Sequence, residues 1–176
     1  MADYPAHLAC ERTLRDGRRV TIRPIRPEDE AEERRFFAAL SDESKRLRFM
    51  KFVREVSERT IHTFTHVDYA KHMAFVCEAE VRGEKRIVGE ARYALVFGTW
   101  ACEFGVVIAD EWHKSGIAGL LMAALIQEAR AQGYERMEGI VLRENAAERR
   151  FARALGFVES RIEGDPTSVR VVKPLH

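Results

Sequence analysis

The stretch Ala101-Cys102-Glu103-Phe104-Gly105-Val106-Val107-Ile108-Ala109-Asp110-Glu111-Trp112-His113-Lys114-Ser115-Gly116-Ile117-Ala118-Gly119-Leu120-Leu121-Met122 decides how this chain folds. Val106, Val107 and Ile108 are β-branched and close a strand. A short polar turn with Ser115 and Gly116 follows, and then Ile117, Leu121, Ala124 and Leu125 recur at helical spacing. A helix whose first turn is built from Ser115, Gly116, Ala118 and Gly119 leaves several backbone N–H groups unpaired, uncrowded and pointing past its start. That is an anion site, best suited to a phosphate. Two familiar phosphate loops are excluded. The turn lacks the Lys-Ser/Thr that follows the last glycine of a Walker loop, and it lacks the three spaced glycines of a dinucleotide fingerprint.

Around this unit strands and helices alternate. Residues 18–25 read as a strand after the Asp16-Gly17 turn, and Pro27 with Glu28-Asp29-Glu30 opens a helix to about Leu40. Ser41 caps a second helix reaching about Met50, and Ser57 caps a third that carries Ile61 and Phe64. Residues 73–81 and 86–97 form an antiparallel hairpin across 82–85, and 101–108 pairs next. The helix over 115–131 ends at Gln132-Gly133. A strand over 138–142, a helix over 145–155 and a last strand pair from Gly156-Phe157 to about Val172 complete the order. The expectation is an α/β fold with a mixed, mostly antiparallel sheet of six or seven strands and helices on both faces.

With 176 residues the chain suits one domain, taken as 14–174 behind an extension over 1–13. Lys plus Arg number 29 against 28 Asp plus Glu, a net charge of +1, which gives no basic surface for nucleic acid. Cys10, Cys77 and Cys102 lack C-x-x-C spacing and read as thiols in a reducing compartment. No stretch resembles a signal peptide or a membrane span, so the expected location is the cytoplasm, away from membranes. An edge strand near 169–172 would permit a homodimer; a monomer is equally open.

The Ser115–Gly119 turn resembles the pyrophosphate loop of the GNAT acetyltransferases, in which Gln or Arg is followed after two residues by Gly and then, after one more residue, by Gly or Ala. Gly116 and Ala118 fill the small positions, and His113 stands where the family has Gln or Arg. Asn145, with Gly156-Phe157 eleven and twelve residues on, matches the family's later helix. Leu14-Arg15-Asp16-Gly17, Ile22-Arg23-Pro24-Ile25-Arg26-Pro27-Glu28-Asp29, Asp68-Tyr69, Met73-Ala74-Phe75 and Glu103-Phe104 are similar to the GNAT domain of bacterial Pat-type protein lysine acetyltransferases. The resemblance implies a GNAT fold, acetyl-CoA as acyl donor, and a protein lysine or a small amine as acceptor. It implies CoA contacts at Val106, Val107 and Ile108, where the pantetheine arm would lie as a pseudo-strand. Further contacts fall at His113, Lys114, Ser115, Gly116, Ile117, Ala118 and Gly119 around the pyrophosphate, and at Asn145 on the pantetheine amide.

Acetyl transfer needs a neutral nucleophile. A lysine of pKa about 10.4 reaches its free base at pH 7 at a cost of roughly 4.6 kcal/mol. The resemblance assigns the base role to Glu103, and its separation from Val106, about 10 Å along a strand, points to a bridging water. A backbone N–H freed where the central strand splays from its parallel neighbour would steady the oxyanion, again by resemblance. The family's tyrosine seven residues after the asparagine is Ala152 here, so no side-chain acid is assigned to the leaving thiolate.

Simpler readings stand beside these. Ser115-Gly116 can be a plain helix cap, Asn145 can cap its own helix, and Glu103 can be a solvated carboxylate with Glu90 as reserve base. His62 and His66, with Asp68 and His72 nearby, invite a metal, but no third ligand has a recognised spacing and none is expected. Lys45, Arg46 and Arg48 suggest acidic surroundings in a substrate, whose choice falls to the loops of 41–68 and the last strands. A non-catalytic acyl-CoA sensor is the alternative of a different class.

Overall fold

The computed structural model describes residues 2–50 and 54–176. Strands run over Cys10–Thr13 (β1), Arg19–Pro24 (β2), His72–Val81 (β3), Glu84–Leu95 (β4), Ala101–Ile108 (β5), Arg136–Leu142 (β6), Val158–Ile162 (β7) and Asp165–Pro174 (β8). Helices cover Glu30–Ala39 (α1), Asp42–Phe49 (α2), Glu58–Thr65 (α3), Ile117–Ala131 (α4) and Ala146–Ala154 (α5). All eight strands form one sheet in the order β1-β2-β3-β4-β5-β6-β8-β7. Every neighbouring pair is antiparallel except β5–β6. That exception follows from α4, the crossover that returns the chain to start β6 in the direction of β5.

Side-chain alternation on β5 divides the core. Cys102 and Phe104 pack with Ile117, Leu121, Met122 and Leu125 of α4. Val107 packs on the opposite face with Phe36 and Phe37 of α1 and Ile61 of α3. Helices therefore cover both faces, as expected.

Two differences from the sequence reading concern the sheet's edges. Cys10–Thr13 pairs with β2, so the sheet begins inside the stretch read as an extension and has eight strands. This edge strand is mostly exposed and carries no apolar alternation, so nothing in its pattern marks it. Residues 169–172, expected at an exposed edge, lie between β6 and β7, and Val169 and Val171 are buried. The short β7 is the true edge on that side.

A buried ion pair fixes α1 to the sheet. Arg23 of β2 forks onto both carboxylate oxygens of Asp29 at 2.8 Å each and donates to Glu78 of β3 at 3.1 Å. Asp29 also accepts the backbone N–H of Arg26 at 2.9 Å, closing the turn into α1. Charge, fork geometry and cap coincide in one contact.

Candidate active site

The parallel ladder is short. Ala101, Cys102 and Glu103 pair with Arg136, Met137 and Glu138, and there the pairing stops. β4 continues beside β5 as far as Ile108, and β8 beside β6 as far as Leu142. Beyond Glu103 the strands are thus each held on their outer sides only, and a cavity of about 660 Å³ lies along the freed end of β5, walled by α2, the turn into α4 and the start of α5.

All eleven residues expected to contact CoA line this cavity. Val106, Val107 and Ile108 come from β5, His113, Lys114 and Ser115 from the turn, and Asn145 from the start of α5. Gly116, Ile117, Ala118 and Gly119 supply the helix end. The helix itself begins at Ile117, two residues later than the sequence reading placed it. Gly116 sits at φ +92°, a left-handed conformation that cannot continue a helix and that glycine adopts without a Cβ penalty. Its carbonyl accepts the N–H of Leu120 at 3.3 Å, and Ser115 Oγ accepts that of Ile117 at 3.4 Å. The N–H groups of Ala118 and Gly119 have no acceptor among the described residues, and open space surrounds the place of a side chain at Gly119. Donors, helix dipole and absence of steric cover together suit an anion.

Asn145 caps α5: its Oδ1 accepts the N–H of Glu148 at 3.2 Å and its Nδ2 donates to Glu148 Oε2 at 2.7 Å. The cap and the cavity wall are the same residue. His113 folds back so that Nε2 meets the carbonyl of Ile108 at 3.0 Å, which ties the turn to the end of β5. Glu103 does not line the cavity; it is an exposed side chain at the point where the ladder ends. Ala152 is buried with Phe104 and Phe157 and brings no hydroxyl to the site.

Charged residues that the sequence reading placed elsewhere, or did not assign, are packed beneath. Glu90 is fully buried on β4 and accepts from Arg92 at 2.9 and 2.5 Å. Burial alone would raise its pKa, but the Arg92 guanidinium, with help from Arg48, holds it well below the usual carboxylate range. So enclosed and so paired, it is no base for an incoming amine. Glu33 of α1, also fully buried, accepts from Arg92 at 3.3 Å, and burial followed by the Glu90 charge pushes its carboxyl well above the usual range. His72 Nε2 lies 3.0 Å from Arg92 Nη1, which can only donate, so that nitrogen is the acceptor of a neutral ring. Burial, then the Arg92 charge, lowers His72 to about 4.

Lys45, Arg46 and Arg48 do not form a basic patch. Lys45 is buried and donates to the Arg54 carbonyl at 3.3 Å, and Arg46 bonds Glu43 at 2.9 Å and Glu144 at 2.5 Å. Arg48 turns inward to line the cavity, as does Glu148, which burial lifts to about 7 against the opposing pull of Arg48. In the sequence alone, a Glu three residues after a capping Asn carries only the signal of cap chemistry, so nothing there marks Glu148 as a cavity residue. The stretch 41–68, expected from the sequence to select the acceptor, includes 51–53, which lie outside the described residues.

The four residues weighed for a metal separate. Asp68 accepts three backbone N–H groups, from Ala70, Lys71 and His72, and His72 belongs to the buried network. His62 and His66 stack at 3.7 Å beside Glu30 on the surface, and none of the three lines the cavity.

Comparison with known proteins agrees with this geometry. Residues 19–158 match the family model described as acetyltransferase (GNAT) domain. An acetyltransferase of Pseudomonas aeruginosa, PA5475, is 39% identical over 157 residues, covering 89% of this chain and 84% of that one. The acetyltransferase Pat of Mycolicibacterium smegmatis is 28% identical over 82% of this chain, which spans only 43% of that protein. Among solved structures, the GNAT domain of S. lividans PAT superposes with a TM-score of 0.87 at 25% identity, covering 98% of this chain and 99% of that domain. The cleft between β5 and β6, the amide-lined turn and these matches lead to one conclusion: the chain belongs to the GNAT acetyltransferase family.

Proposed function

We propose that the cavity binds acetyl-CoA and that the protein transfers the acetyl group to a primary amine. The observation that carries this reading is the convergence of all eleven expected CoA residues on the one cavity that opens where β5 leaves β6. The pyrophosphate takes the N–H groups of Ala118 and Gly119, and the pantetheine arm adds to the free side of Val106–Ile108 as a strand would. The amine attacks the thioester carbon, its nitrogen–carbon bond forms, the carbon–sulfur bond breaks, and the amine proton passes through water to Glu103. A thiol pKa near 8.5 lets the thiolate leave without a side-chain acid, which accommodates Ala152.

A protein lysine is the favoured acceptor, with a small amine as the other, and support comes from the likeness to the S. lividans PAT domain. The three free cysteines, two of them buried, suit the cytoplasm. No helix among the described residues is long and apolar enough to cross a membrane. The test pairs calorimetry of acetyl-CoA binding with release of free CoA over a panel of lysine peptides and small amines. Binding with turnover supports transfer; binding without turnover across the panel, and indifference to Glu103→Gln, supports the sensor instead. No binding of any CoA species overturns both.

A further inference from the structure

Arg48 lies against β5 with its guanidinium on the backbone of Gly105. A β-carbon at that glycine would stand 2.9 Å from Cζ, 3.0 Å from Nη1 and 3.1 Å from Nη2. Among the described residues this guanidinium donates no hydrogen bond, and its Nε is shut away from solvent with no acceptor. Glu90 Oε1 is 4.0 Å from Nη2, and that carboxylate already accepts two bonds from Arg92. The rings of Phe49 and Phe64 flank the group at 5.4 and 5.7 Å. A planar fork of five donors, built to grip a carboxylate, is thus enclosed with none in hydrogen-bond reach among the described residues.

Its place along the cavity says what this fork would meet. A coenzyme with its pyrophosphate at Gly116–Gly119 and its arm running back past Ile108, Val107 and Val106 brings its acyl end to Gly105, under Arg48. An acetyl group ends in a methyl and offers this fork nothing beyond its thioester carbonyl. Glu148 lines the same cavity, and its carboxyl, lifted by burial, is a donor when neutral.

We propose that Arg48 selects acyl-CoA donors whose acyl chain ends in a carboxylate, of the malonyl or succinyl type, over uncharged chains of equal length. The inference rests on the coenzyme reading above and deepens it. Transfer is balanced as for acetyl: the amine nitrogen bonds the thioester carbon, the carbon–sulfur bond breaks, and the amine proton ends on the CoA thiol by way of the base. The modified amine then carries a negative charge where it had a positive one.

The test is calorimetry of the full chain with CoA, acetyl-CoA and two length-matched pairs, propionyl- against malonyl-CoA and butyryl- against succinyl-CoA. In at least one pair the carboxylated member binds about tenfold tighter, the worth of one charge-assisted contact. Arg48→Met erases that ratio, with a thermal melt reporting whether the variant folds; if it does not, the wild-type series decides alone. Equal affinities within both pairs overturn this inference and leave the coenzyme reading intact. Absence of binding by every CoA species overturns both.

Discussion

Glu103 and Glu138 stand opposite each other on the last rung of the parallel ladder between β5 and β6. Glu138 is buried and neutralised by Arg136 and Arg170, each at 3.2 Å. Glu103 is exposed and has no hydrogen-bond partner among the described residues. Of the two carboxylates at the point where the cleft opens, one is spent on structure and the other is available.

Glu103→Gln keeps the side chain's shape and removes its basicity. The expected result is a fall in kcat of about a hundredfold or more, with the acetyl-CoA dissociation constant unchanged. Steady-state CoA release beside calorimetry checks it, and an equal loss of binding would show a structural role instead.

Gly116→Ala puts a Cβ on a residue at φ +92°. We expect a cost of about 1–2 kcal/mol, seen as a melting temperature lower by about 2–8 °C, together with weaker acetyl-CoA binding. Gly119→Ala, where a Cβ meets open space, is expected to spare stability and weaken binding alone.

Much of the fold could be read in the sequence because it depends on local chemistry. Ser41 and Ser57 cap α2 and α3 as their positions indicate, and the Val106–Ile108 strand followed by small residues announces the anion turn. Arg48 and Glu148 could not be read this way. Arg48 in an eight-residue helix of mostly polar side chains looks solvated until the fold lays it on Gly105, 57 positions further along the chain. The splay of β5 from β6 came from family likeness, for no residue at 104–108 forbids further pairing. What decides it is long-range, in the path each strand takes with its outer neighbour.

Asp29→Asn leaves Arg23 with Glu78 as its one remaining carboxylate. Breaking one side of a buried pair typically costs about 3–5 kcal/mol, and the Glu78 contact places the expectation at the lower end. Urea unfolding gives the figure, and a loss below about 1 kcal/mol would mean that Glu78 compensates fully.

Two half-buried groups give stability opposite slopes with pH. His72 is lowered from 6.5 to about 4, so the unfolded chain takes up its proton first and stability falls as pH drops from 6.5 to 4. Glu148 is raised from 4.5 to about 7, so the unfolded chain releases its proton first and stability falls as pH climbs from 4.5 to 7. Urea midpoints across this range for His72→Gln and Glu148→Gln should lose the acid and alkaline slopes respectively. A variant whose pH profile parallels that of wild type would remove its residue from the account.

The joint between β5 and β6 is only three residue pairs long, although it links a five-strand plate to a three-strand plate. Two plates riveted at one end can flex like a pair of tongs, and a rod laid between the jaws stiffens them. Deuterium uptake at the amides of Leu142 and of Gly105 to Ile108 should slow when the coenzyme fills the gap, making its occupancy a mechanical event for the whole sheet.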